Sequence, residues 1–132
     1  MRILMVVITL FFFGCSKTDI KNVTFICSGE RIIGKVDYTI DKRFEESPKQ
    51  ETNTYQLIDG MYENNLCEFK NELITCFSSN SSDENELVFD RVKGEVKEYR
   101  TYTTYRVDNN LPLLRIFHEF RGKCETSKGN KF

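Results

Sequence analysis

The residues with the strongest claim to chemistry are a single histidine, His118, and five cysteines at positions 15, 27, 67, 76 and 124. A histidine can act as general acid or base near neutral pH, and beside a serine and an acid it activates a nucleophile. His118 sits in LLRIFHEFRGKC, alternating with Ile116 and Phe120, and no serine or carboxylate stands at a spacing that singles it out as a partner. It reads as a core or edge histidine, and an enzyme using His118 with a nearby carboxylate ranks last among the functions considered. One histidine and cysteines that can pair with one another leave only scattered carboxylates, without the spacing of a zinc or calcium site. The glycines stand singly, so no phosphate-cradling loop is present. The sequence therefore assigns no catalytic residue, no metal and no cofactor.

A second chemistry is recognition. In EVKEYRTYTTYRV, residues Tyr99, Thr101, Thr103, Tyr105 and Val107 alternate with Glu98, Arg100, Tyr102, Thr104 and Arg106. The first set reads as core. The second set places Arg100, Tyr102 and Arg106 together on a solvent face, and tyrosine and arginine are the side chains enriched where partners bind. Acidic and basic residues are nearly balanced, 20 against 19, and interspersed, so no basic stripe points to nucleic acid.

The elements that must position these residues are strands. Period-two alternation runs through 23–29, RIIGKVDYTID (31–41), TYQLI (54–58), LCEF (66–69), LITCF (73–77), ELVFD (86–90), 95–107 and 113–124. In the last of these, Leu114, Ile116, His118, Phe120, Gly122 and Cys124 share one side. FDRVKGEV carries a glycine late in a turn, which predicts a hairpin between 86–90 and 95–107. The polar stretches 45–53 and 78–86 read as solvated loops. About eight short strands with no helical period predict an all-β fold, a small antiparallel meander closing as a barrel or a two-layer sandwich.

Four cysteines within these strands form a disulfide framework with three possible pairings. A hairpin turning at Asn71-Glu72 pairs residues whose numbers sum to 143, which sets Cys67 opposite Cys76 at a non-hydrogen-bonded position within bridging distance. Cys27 then joins Cys124. Cys27 shares a face with Val23 and Phe25, and Cys124 with Phe120 and Gly122, so this bridge should tie the first strand to the last from inside.

Cys15 remains. Residues 3–13 are apolar apart from Thr9, follow Arg2, and end at Gly14-Cys15 before polarity begins at Ser16. Eleven helical residues span only about 16 Å, too short for a bilayer core of about 30 Å. They fit the apolar core of an export signal instead, although Phe12 stands where an ordinary cleavage site wants a small residue. Gly14-Cys15 resembles the lipobox of bacterial lipoproteins, and the resemblance covers residues 1–17. It implies a diacylglycerol thioether on the Cys15 sulfur, cleavage after Gly14 and acylation of the new amine. Two or more acyl chains give stable membrane attachment. Ser16 after the cysteine resembles the pattern of lipoproteins sent to the outer membrane.

The expected organisation is a signal peptide over 1–14, a lipidated tether over 15–22 and one disulfide-braced β-domain over 23–132. The expected function is a non-enzymatic binding module of the bacterial envelope, of inhibitor, immunity or exclusion type, facing the periplasm or cell surface. Its partners would be the membrane, through lipid on Cys15, and an unidentified protein or envelope component. The alternative is a structural or assembly accessory of the envelope.

Overall fold

The computed structural model describes residues 21–127, so Cys15, the expected signal peptide over 1–14 and most of the expected tether over 15–22 lie outside the described residues. Nine antiparallel strands form one sheet: β1 (Val23–Asp37), β2 (Lys42–Glu45), β3 (Lys49–Leu57), β4 (Met61–Tyr62), β5 (Asn65–Lys70), β6 (Leu73–Ser79), β7 (Asp83–Asp90), β8 (Glu95–Tyr105) and β9 (Pro112–Thr126). No helix occurs among the described residues. From β4 to β9 the chain is a meander. β1 then lies beside β9, paired from Phe25 to Asp37, and β2 and β3 pair in succession with the two ends of β1. Pro48, which has no N–H to give a ladder, stands in the break between β2 and β3.

Turn chemistry sets the registers. Asn71 has φ 55°, and the hairpin around it pairs Lys70 with Leu73 and Cys67 with Cys76. Gly94 has φ 63° and closes the β7–β8 hairpin, with Asp90 Oδ1 accepting from the Val92 and Lys93 N–H groups. Two further hairpins use residues with positive φ at both central positions, Asp59-Gly60 between β3 and β4 and Glu63-Asn64 between β4 and β5. That geometry matches the right-handed twist of paired strands.

The sheet curls until its two ends share a core. Phe25 of β1 lies 4.5 Å from Phe89 of β7, and Tyr55 of β3 meets the same Phe89 ring at 5.6 Å. Leu57, Ile74, Leu87, Val96 and Phe120 fill the rest of this interior. Both predicted bridges are present within it, Cys27–Cys124 and Cys67–Cys76.

The curl does not complete a barrel, and it is not a two-layer sandwich. β3 and β4 are the two edges, and a single bridge between Ile58 and Met61 joins them. β4 has only two residues before the Glu63-Asn64 turn sends the chain away, so it cannot accompany β3 farther. A seam is left open above that bridge. On the outer face a smaller apolar site forms, where the buried Phe117 ring covers Gly34 between Arg43 and Tyr99.

Candidate functional site

Cross-strand partners share a face of a sheet, so the inner surface can be followed from strand to strand. On β8, Val96, Glu98, Arg100 and Tyr102 face inward. Across from them stand Gly122, Phe120, His118 and Ile116 of β9, and beyond these Gly29, Arg31, Ile33 and Lys35 of β1. One end of this surface is the apolar core around the disulfides. The other end is polar and meets the open seam.

This corrects part of the face assignment read from the alternation of β8: Tyr102 is exposed and Thr101 and Thr103 are buried as read, but the inward set is that of Glu98. Glu98, placed on a solvent face, is 3% exposed, whereas Tyr99 and Tyr105, placed in the core, are 43% and 41% exposed. Val107 is fully exposed beyond the strand end. Thr101 and Thr103 are buried, but against the outer face that also holds Phe117. Polar side chains line the inside of the curled sheet here, and hydropathy alone therefore names the wrong face.

Glu98 organises the site. Arg100 donates from Nε to Glu98 Oε2 at 3.1 Å, Arg31 Nη2 approaches Oε1 at 3.5 Å, and the Tyr55 hydroxyl donates to Oε1 at 3.3 Å. A buried carboxylate needs such compensation. The arginines have second partners nearer solvent. Arg31 pairs with Glu51, and Arg100 Nη2 donates to Glu63 Oε1 and to the Tyr62 hydroxyl, both at 3.1 Å. Burial alone would lower the Arg100 guanidinium, but Glu98, Glu63 and Tyr62 outweigh it and hold its proton more firmly than usual. Burial, reinforced by Glu98, pushes the Tyr55 phenol well up, and burial with Glu63 pushes Tyr62 up to about 12. Both phenols therefore remain neutral donors over the physiological range.

The cleft around this network has a volume of about 470 Å³, with Asn53, Thr54 and Tyr55 of β3 on one wall and Tyr62, Arg100 and His118 on the other side. A second hollow of about 550 Å³ shares Arg100 and His118 and extends to Tyr102, Asp83 and Asn85. Asn85, directly across from Arg100, carries a buried Oδ1 without a hydrogen-bond partner. The two hollows together offer charged and phenolic donors, which is chemistry suited to binding a polar group.

Of the residues singled out from sequence, Arg100, Tyr102 and His118 come together here. Arg106 does not. It lies past the end of β8 in the turn to β9, where its N–H bonds the Leu111 carbonyl. His118 lines both hollows, while Glu98 is engaged by the arginines and Tyr55. Among the described residues no group of three or more His, Cys, Asp or Glu side chains is placed to hold a metal ion. Arg31, Tyr55, Tyr62 and Glu98 were not legible as site residues, because four separate strands bring them together. The one local signal was Glu98 following Val96 on a face that continues to Phe89 and Phe120 in the neighbouring strands.

No protein-family model, curated protein or solved structure matches the chain.

Proposed function

We propose that this chain is a lipid-tethered envelope protein whose β-domain is a non-enzymatic binding module, with the seam cleft as its binding site. The observation that carries the reading is the buried Glu98, which holds Arg31 and Arg100 in place at the floor of an open polar cleft. Such preorganised arginines, rimmed by tyrosines, lose little entropy on meeting a partner and are favourable anchor residues. The lipobox-like Gly14-Cys15 supports attachment through lipid on Cys15, and Ser16 supports the outer membrane, with the domain facing the periplasm or surface. The two disulfides fit an oxidising compartment.

Two measurements test this. Cys15→Ser should leave an uncleaved, unlipidated precursor, seen by mass spectrometry of the membrane fraction, and normal processing would remove the anchor from the proposal. Affinity capture from an envelope extract should retain a partner, and Arg100→Ala with Tyr102→Ala should weaken that capture by more than about tenfold, the equivalent of about 1.4 kcal/mol. Full binding by a folded double variant would place the site elsewhere.

A further inference from the structure

The free edge of β3 has a defined hydrogen-bonding phase. Ile58 exchanges both its N–H and its C=O with Met61, so its backbone groups point away from β1. Backbone groups alternate sides along a strand, which gives Gln56, Thr54, Thr52 and Gln50 the same outward direction. The opposite flank agrees. The Thr24 carbonyl accepts from Ser127 on the β9 side, so Val23, Phe25, Cys27 and Gly29 point toward β3, where their partners are Leu57, Tyr55, Asn53 and Glu51. Among the described residues no strand pairs with this outer edge beyond Ile58.

Edges of this kind are commonly blocked by proline, a bulge, a covering loop or a dense row of charge. Within β3 there is no proline and no bulge, and its charge is limited to two inward-facing side chains near its start. Pro48 precedes it, its register with β1 runs unbroken from Lys49 to Leu57, and its charged side chains are Lys49 and Glu51, the latter held by Arg31. The gap beside it is where a longer β4 would have run.

We propose that the β3 edge receives an extended peptide segment of a partner protein by strand addition, and that an acidic side chain of this segment enters the seam cleft. The proposal rests on the binding-module reading and names its partner class. An added strand takes the outward N–H and C=O groups of residues 50, 52, 54 and 56 and turns every second side chain toward the cleft, next to Asn53 and Tyr55. Acidity follows from the geometry of the two arginines, each of which has one buried partner and one partner at the solvent edge that a carboxylate could replace. In the cleft wall two guanidiniums share one buried carboxylate, Glu98. Their outer partners, Glu51 and Glu63, have side chains 39% and 53% exposed, so an incoming carboxylate that takes the paired geometry arginine favours displaces only partners that solvent can accept.

The test uses the mature lipidated chain in detergent and a synthetic peptide, acetyl-Thr-Val-Thr-Glu-Thr-Val-Thr-amide, at millimolar concentration. Hydrogen exchange of the Thr52, Thr54 and Gln56 amides should slow by about tenfold or more, and the peptide with Gln in place of Glu should bind about tenfold more weakly. Methylating alternate peptide nitrogens in each of the two phases should abolish binding in one phase and spare it in the other, a comparison that leaves the protein unchanged. Thr54→Pro removes an outward N–H without touching the bonds to β1 and should erase the protection. Absence of slowed exchange overturns strand addition. Equal binding of the two peptides overturns the acidic requirement. Protection that appears without peptide and grows with protein concentration assigns the edge to a second copy instead. Capture that Arg100→Ala with Tyr102→Ala abolishes, and Thr54→Pro leaves intact, overturns strand addition while the cleft reading stands.

Discussion

Opening the Cys27–Cys124 bridge should cost the domain about 2 kcal/mol more than opening Cys67–Cys76. The bridged residues are 97 and 9 apart in sequence, so the bridges close loops of 98 and 10 residues counted inclusively. The chain-entropy relation then gives about 4.7 kcal/mol for the long loop and about 2.7 kcal/mol for the short one. Native-state effects largely cancel in the comparison. Both bridges join directly opposite residues, with Cα–Cα distances of 4.0 and 4.2 Å, and all four cysteines are buried in the same core. Replacing either pair with alanine therefore removes similar packing.

The assay is urea unfolding of the parent and of the two double alanine variants, with peptide mapping to confirm that the remaining bridge is intact. With a slope near 1.5 kcal/mol/M, the long-loop variant should unfold about 1.3 M earlier than the short-loop variant. Against a total stability of about 5–15 kcal/mol, the loss of the long bridge leaves a marginal fold. Equal destabilisation of the two variants would refute the reasoning. It would mean that β1 and β9 stay associated in the unfolded chain without the bridge, or that the short bridge acts through packing.

Three further outcomes are expected. A Cβ at Gly34 would lie 2.2 Å from the buried Phe117 ring and 2.7 Å from the Phe44 carbonyl, so Gly34→Ala should cost about 1–3 kcal/mol by thermal melting, partly recovered by adding Phe117→Leu. Because the Tyr62 phenol is raised to about 12 and Tyr55 is raised as well, the folded state keeps these protons more firmly than the unfolded chain. That stability is whole below about pH 10 and fades as pH climbs toward 12, and tyrosinate absorbance should show two late-ionising tyrosines, one of them lost in Tyr62→Phe. Glu98→Gln should cost about 2–3 kcal/mol, below the usual loss for a broken buried pair because Glu51 and Glu63 still engage the two arginines, and a double-mutant cycle with Arg31→Gln would measure the coupling.

Much of the fold was legible in the sequence where a strand has an apolar face and a turn with one permitted conformation. LCEF and LITCF around Asn71-Glu72 specify the observed pairing of Cys67 with Cys76, and the inward alternation of Phe25, Cys27, Phe120 and Cys124 specifies the other bridge. The stretches 45–53 and 78–86 were not legible. They read as loops, yet β3 begins at Lys49, β6 continues to Ser79 and β7 begins at Asp83, leaving residues 80–82 as the connection. The reason is physical. In KQETN the inward positions, Lys49, Glu51 and Asn53, face the polar end of the interior, and the outward ones face water, so neither side of the strand is apolar.

The same cause hid the site and left closure undecided. Alternation reports which side chains avoid water, and it identifies the inside of a sheet only where the inside is apolar. Along β8 that holds at Val96 and fails at Glu98, a carboxylate buried by its partners Arg31, Arg100 and Tyr55 from two other strands and its own. Whether the barrel closes depends on still less sequence. Asp59-Gly60 brings the edges together at Ile58 and Met61, and Glu63-Asn64, only two residues later, parts them again. Strand pairing would have continued along β3 had the second turn come several residues later, and the interior would then have been sealed over Arg31 and Arg100. The open cleft follows from the short distance between two turns, each ordinary in itself, and that distance carries no hydropathy signal at all.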